Sequence, residues 1–88
     1  MTLDPGFLKR FDDLPLGGYG GNFEGRRYRV VKSQMAAGRS QKLQAEELGG
    51  PDYISFNIYR LASGEVLLKP CEMSEDKVVE FVLGLEAD

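Results

Sequence analysis

The chain has 88 residues, of which 42% are hydrophobic and 28% are charged, and its formal net charge is -3. This length and composition predict one domain with a modest core and exclude wholesale disorder. With no histidine and one cysteine, the chain lacks the residues for a Cys/His zinc site, a Ser-His-Asp triad or a Cys-His dyad, so we predict a non-enzymatic protein without metal or cofactor.

The first residues do not resemble a secretory signal. The start Met1-Thr2-Leu3-Asp4-Pro5 has an acid and a proline where a signal peptide has basic residues and an apolar stretch. No apolar run approaches the roughly 18 to 20 residues that cross a bilayer, and the single cysteine cannot form an internal disulfide. We therefore predict a cytoplasmic protein with no membrane partner.

Residues 1–22 are predicted to be a flexible N-terminal segment. Four apolar residues in it have helical spacing and predict a short turn that docks on the domain: Phe7, Leu8, Phe11 and Leu14. Pro15 would end this turn. The run Gly17-Gly18-Tyr19-Gly20-Gly21 is predicted to be a linker, because the backbone freedom of four glycines makes a fixed element costly.

Residues 23–88 are predicted to form one domain that begins with four antiparallel strands. The strands are indicated by β-branched and aromatic residues, by alternation of apolar and polar side chains, and by glycine-containing turns. They span about Arg26 to Met35, Ser40 to Leu48, Tyr53 to Leu61 and Val66 to Lys69. The second strand contains good helix formers, but Leu43, Ala45 and Leu48 do not fall on one helical stripe, which favours a strand.

The last predicted element is a helix that begins after Ser74. Ser74 can cap it, Glu75 and Asp76 suit the positive end of the helix dipole, and Met73 and Val78 have the spacing of a hydrophobic staple. The apolar stripe of this helix comprises Val78, Phe81, Val82 and Leu85. The predicted sheet residues beneath it are Tyr28, Val30, Leu43, Ala45, Ile54, Phe56, Ile58, Val66 and Leu68. The predicted fold class is therefore α+β, a four-stranded antiparallel β-meander with one C-terminal α-helix packed on one face.

The uncovered face of this sheet is the predicted functional surface. The stretch from Glu24 to Lys42 holds six of the eleven basic residues and one acidic residue, a net charge of +5 in an acidic protein. Cations follow phosphates and aromatic rings stack on bases, at about 1 to 3 kcal/mol per base. We therefore predict a small binding module for single-stranded DNA or RNA. Its predicted nucleic-acid-binding residues are Arg26, Arg27, Arg29, Arg39, Lys42, Tyr53 and Tyr59.

Two other interpretations of this face stay open. The polar face of an antiparallel sheet is in many proteins simply solvated, and residues 46–88, with ten acids against three bases, would repel phosphate. Alternatively, the same face or an exposed edge strand could meet another chain. The protein would then be a protein-protein interaction module or a homodimerisation module.

The order of these elements also resembles a known family. Four meander strands, a basic first hairpin and a helix that starts at Met73-Ser74-Glu75 resemble the positive-cofactor-four family of single-strand nucleic-acid-binding transcriptional coactivators, over about residues 24–86. That family dimerises and binds single strands across its sheets with basic and aromatic residues. The resemblance therefore implies such roles for Arg27, Arg29, Lys42 and Tyr59. The same topology occurs in purine-rich-element-binding repeats.

Overall fold

The computed structural model describes residues 3–88 as a six-stranded antiparallel sheet with two helices packed on one face. The helices are α1 (Pro5–Asp13) and α2 (Glu75–Gly84). The strands are β1 (Gly17–Phe23), β2 (Arg26–Met35), β3 (Ser40–Glu47), β4 (Tyr53–Arg60), β5 (Val66–Pro70) and β6 (Glu86–Ala87). Their order across the sheet is β5-β4-β3-β2-β1-β6. Neither α1 nor α2, the helices of the described part of the chain, is long and apolar enough to span a bilayer.

The predicted α+β class is confirmed, and β2 to β5 form the predicted meander. The second of these elements is a strand, as alternation indicated: Leu43 and Ala45 of β3 are buried, and Ala45 lies opposite Val30 of β2. The predicted sheet core is buried except for Val66, which is half-buried. The prediction of four strands and one helix is incomplete, because α1, β1 and β6 were not predicted.

The glycine-rich run is a strand and not the linker that we predicted. β1 pairs with β2 over its whole length. At Gly21 a Cβ atom would lie 2.9 Å from Leu85 Cδ1 and 3.1 Å from the Glu86 carbonyl oxygen, so glycine lets the C-terminal segment approach the sheet closely. β1 and β2 are joined by Glu24 and Gly25, whose φ angles of 50° and 77° are those of a type I′ turn.

The apolar residues predicted to form a docking turn belong to an ordered helix. Asp4 caps α1 by accepting a hydrogen bond from the Gly6 N–H at 2.7 Å, and a proline follows at the first helical position. Phe7 and Phe11 are fully buried, with ring centroids 6.1 and 5.6 Å from that of Phe56 on β4. α1 is thus an integral part of the core.

A buried lysine holds the end of α1 on the sheet. Lys32 Nζ donates to the carbonyl oxygens of Phe11 and Leu14 at 2.6 and 3.0 Å, and it lies 4.3 Å from the centroid of the Phe11 ring. Burial lowers the pKa of Lys32. Because the last carbonyls of a helix lack partners within the helix, this side chain from β2 satisfies the C-terminal end of α1.

α2 begins as predicted and covers the same face. Ser74 Oγ accepts from the Lys77 N–H at 3.1 Å, and the predicted apolar stripe is buried. The Phe81 ring packs against Tyr28 and Phe23, with centroid distances of 5.1 and 5.0 Å. Both helices therefore lie on one side, which leaves the other side of the sheet uncovered in the described part of the chain.

Candidate functional site

The face opposite the helices, which we call the open face, is built by alternate residues of the strands. Its side chains from β2 to β5 are Arg27, Arg29, Val31, Ser33, Lys42, Gln44, Glu46, Tyr53, Ser55, Asn57, Tyr59, Leu67 and Lys69. Each is exposed or half-buried, whereas the residues between them point into the core. The structure therefore brings together the predicted residues Arg27, Arg29, Lys42, Tyr53 and Tyr59 on one face.

Two lysines and a tyrosine occupy neighbouring positions on the open face of β3, β4 and β5. Lys42 lies opposite Asn57, and Asn57 lies opposite Lys69 on its other side. Tyr59 is the next open-face residue of β4, diagonal to both lysines and within reach of long side chains. Among residues 3–88 neither lysine forms an ion pair. We call Lys42, Asn57, Tyr59 and Lys69 the two-lysine cluster.

Arg29 and Glu46 lie opposite each other in the middle of the open face. They form no ion pair, and the Arg29 guanidinium instead extends over β1, where a Cβ atom on Gly18 would lie 3.5 Å from Nη2. Arg29, Glu46, Val31 and Gln44 line a shallow depression of about 130 Å³. The centre of the face thus has one cation and one anion, separated enough to contact different groups of a ligand.

Arg27 is on the open face but is engaged by the C-terminal residue. Its guanidinium donates to both carboxylate oxygens of Asp88 at 2.9 and 2.7 Å, and to Asn22 Oδ1 at 3.1 Å. The hydrogen bonds and the attraction between opposite charges raise the pKa of Arg27 and lower that of Asp88. Arg27 stays charged, but Asp88 compensates its charge and occupies two of its donors, so this pair would have to open before those donors could bind a phosphate.

Arg26 and Arg39 do not extend the positive track as predicted. Arg26 shares the side-chain orientation of Tyr28, because side chains alternate along a strand, and it pairs with Glu47 on the helix-covered side at 3.5 Å. Arg39 follows the turn Ala36–Gly38, and its Nε donates back to the Ala36 carbonyl at 3.3 Å. Among residues 3–88, the open-face cations without an ion pair are therefore Arg29 on β2, Lys42 on β3 and Lys69 on β5.

Lys69 was not among the predicted site residues. The predicted core positions Val66 and Leu68 already imply that Leu67 and Lys69 lie on the other face, but the strand itself does not give its register against β4. The structure gives that register, because Lys69 pairs with Asn57. A register extrapolated from the well-patterned β4 through the tight turn at residues 61–65 would have placed Lys69 beside Asn57, across β4 from Lys42.

A second polar cluster lies on the helix-covered side, at the turn after β3. Tyr28 Oη and Lys77 Nζ each donate to a different carboxylate oxygen of Asp52, both at 2.7 Å. The bonds from Lys77 and Tyr28 lower the pKa of Asp52, whereas burial and the bond to Asp52 raise the pKa of Tyr28 to about 12. The cluster holds the first turn of α2 against the sheet.

Other candidate chemistry is sparse on the described residues. Residues 3–88 contain no group of three or more His, Cys, Asp or Glu side chains that could hold a metal ion. Cys71 is a half-buried free cysteine, and Asn57 Nδ2 lies 3.8 Å from its sulfur.

Comparisons with protein-family models, curated proteins and solved structures found no match to this chain.

Proposed function

We propose that this chain is a small non-enzymatic binding module of the cytoplasm whose open face binds single-stranded nucleic acid. The two-lysine cluster is the observation that carries the proposal. The ammonium groups of Lys42 and Lys69 can each contact a phosphate as a point charge, and the ring of Tyr59, diagonal to both lysines, can stack on a base. The amide of Asn57 can donate to and accept from base edges.

The spacing of the two tyrosines suits an extended strand. Tyr53 and Tyr59 are 42% and 37% exposed and lie six residues apart on β4, which is about 20 Å at 3.3 Å per residue. Ser55 and Asn57 lie between them and offer hydrogen-bonding groups. In a duplex the bases are stacked on each other, so rings on a flat face favour unpaired bases.

The charge distribution predicts binding that depends strongly on salt. The open face carries Arg29, Lys42 and Lys69 against Glu46 in its middle and Glu65 at the start of β5, and Arg27 is paired with Asp88. The rest of the chain is acidic, since the total charge is -3. The local field of the face can attract phosphates while the remaining surface repels them, so we expect binding on one side only and mainly at low ionic strength.

The element order gives further support. β2 to β5 followed by α2 is the order that resembles the positive-cofactor-four family, which binds single strands across its sheets. Under this proposal α1, β1 and β6 extend and stabilise the sheet, and they leave the open face of β3 to β5 uncovered.

Fluorescence anisotropy with labelled oligo-dT and oligo-rU tests the proposal. The oligonucleotides should have about 15 nucleotides, a length that spans one binding face. We expect Lys42→Ala to weaken binding and to lower the slope of log affinity against log salt by about one. Tyr59→Ala should weaken binding by roughly 5- to 150-fold, which corresponds to about 1 to 3 kcal/mol for one stacked base.

Lys9→Ala is the matched control, because Lys9 is an exposed lysine on α1, on the opposite side of the sheet. It should leave binding unchanged. Absence of binding at low salt, or equal losses from Lys9→Ala and Lys42→Ala, would overturn the proposal.

A further inference from the structure

β5 is an outer strand of the sheet, and its outer edge is free in the described part of the chain. The N–H of Leu61 bonds to the Glu65 carbonyl, and the N–H of Cys71 bonds to the Ser55 carbonyl, both at 2.9 Å. Because such bonds alternate in antiparallel pairs, Leu67 and Lys69 bond towards β4. The backbone groups of Val66 and Leu68 therefore point outwards, where they can pair with another strand.

We propose that β5 pairs with β5 of a second copy of this chain, antiparallel, about a two-fold axis at Leu67. The two sheets then become one continuous sheet with a common open face. A depression of about 200 Å³ at this strand is lined by residues 65–69 with Leu3 and Glu75. The interface is built on the strand edge, and it shares Lys69 with the two-lysine cluster, so Lys69 takes part in both proposals.

The charges along β5 are self-complementary about this axis. Leu67 and Lys69 lie on the open face, and Glu65, which precedes β5 and lies opposite Leu61, continues the same alternation. With the axis at Leu67, Glu65 faces Lys69 of the partner subunit, and Lys69 faces the partner's Glu65. These are non-hydrogen-bonded positions, where opposing side chains lie closest. A second copy therefore places an opposite charge against each of the two charged side chains of this edge.

The backbone also selects this register. With the axis at Leu67, Val66 and Leu68 exchange both of their outward hydrogen bonds with the partner subunit. An axis at Leu68 would place Val66 opposite Pro70, which has no N–H. An axis at Val66 would place Leu68 opposite Gly64, whose N–H is already bonded to Leu61. Axes at Glu65 and Lys69 would oppose like charges.

Pro70 does not prevent this pairing. The backbone nitrogen of Pro70 points away from β4, so its missing N–H costs no hydrogen bond to β4. The pairing with β4 continues to the bond from the Cys71 N–H to the Ser55 carbonyl. In the proposed register Pro70 lies opposite Gly64 of the partner subunit, where neither residue has a free donor. On the helix-covered side the half-buried Val66 meets Leu68 across the axis, which buries more apolar surface.

Sedimentation across a range of protein concentrations tests the interface by charge reversal. Glu65→Lys and Lys69→Glu each place like charges opposite each other, so each should raise the dimer dissociation constant at least tenfold. The double variant exchanges the two charges and should restore the dimer. Two substitutions at exposed helix positions serve as controls: Glu80→Lys changes the net charge as Glu65→Lys does, and Lys9→Glu changes it as Lys69→Glu does. Both should leave the dimer intact.

Cross-linking tests the axis directly. In a Cys71→Ser background, Leu67→Cys places two thiols opposite each other with Cα atoms about 4.5 Å apart, within the range of a disulfide. Oxidation should give a covalent dimer, whereas Asn57→Cys, one strand further in, should not. A strict monomer at all concentrations, a dimer insensitive to both charge reversals, or equal cross-linking of the two cysteine variants would overturn the proposal. None of these readouts involves nucleic acid, so failure here is distinct from failure of the proposed function.

Discussion

Asp52 connects the turn after β3 to both the sheet and the C-terminal helix. Its carboxylate accepts from Tyr28 on β2 and from Lys77 in α2, and its backbone N–H donates to Glu47 Oε1 at 3.3 Å. The ring of Tyr28 is fully buried against Phe81. Asp52 thus links the first turn of α2 to the sheet, beside the apolar contacts of that helix with the core.

We expect Asp52→Asn to destabilise the protein by about 1 to 2 kcal/mol at neutral pH, because it removes a charge-assisted hydrogen bond and leaves the ammonium of Lys77 without its anion. For a domain of this size that loss lowers the melting temperature by roughly 4 to 8 °C per kcal/mol. Asp13→Asn, which alters only an exposed pair with Lys9, should change stability by less than about 0.5 kcal/mol.

The stabilisation by Asp52 should depend on pH in a defined direction. Its pKa in the folded protein is lowered, below the usual value for Asp of about 3.9. The unfolded chain therefore binds the proton more tightly, so the stabilisation is complete above about pH 4 and is lost as the pH falls through the folded pKa. Urea unfolding of wild type and Asp52→Asn should show a gap in unfolding free energy that narrows in acid. A difference in unfolding free energy that stays constant as the pH falls would show that folding does not favour the charged form of Asp52.

At the scale of elements, β1 shows what local patterns could not predict. A glycine-rich strand has few side chains to alternate, and Glu24-Gly25 lacks the Asn-Gly or Asp-Gly sequence typical of a type I′ turn. β1 is a strand because β2 and the C-terminal segment pair with its two edges. β2 to β5 and α2 were predictable, because alternation, turn residues and capping all agree there.

Two glycines of β1 should respond differently to alanine. At Gly21 the added Cβ would meet the Leu85 side chain and the Glu86 backbone at 2.9 and 3.1 Å, whereas at Gly18 its nearest contact is Arg29 Nη2 at 3.5 Å. We expect Gly21→Ala to destabilise the protein by about 1 to 3 kcal/mol, since a backbone contact cannot be relieved by a rotamer change. Gly18→Ala is the matched control and should be neutral or slightly stabilising. Thermal unfolding distinguishes them, and equal effects would argue against the close packing of the C-terminal segment on β1.

At the scale of the whole molecule, the apolar core and the polar side chains of the sheet lie on opposite faces. The helices and the aromatic core occupy one side of the sheet, and the polar open face occupies the other. Period-two alternation was sufficient to predict that Arg27, Arg29, Lys42, Tyr53 and Tyr59 share a face. It could not predict that Asp88, 61 residues further along the chain, forms an ion pair with Arg27. Nor could it predict that Lys69 lies across Asn57 from Lys42. Both depend on which strands become neighbours.

The position of bound nucleic acid is the most direct test of the open face. In a two-dimensional NMR titration of the labelled protein with unlabelled oligo-dT at low salt, we expect the largest amide shifts on β3 to β5, around Lys42, Asn57 and Tyr59. Residues of α1, beneath the sheet, should hardly shift, and Lys42→Ala should reduce all shifts together. Shifts confined to the helices, or no shifts at low salt, would contradict single-strand binding by this face.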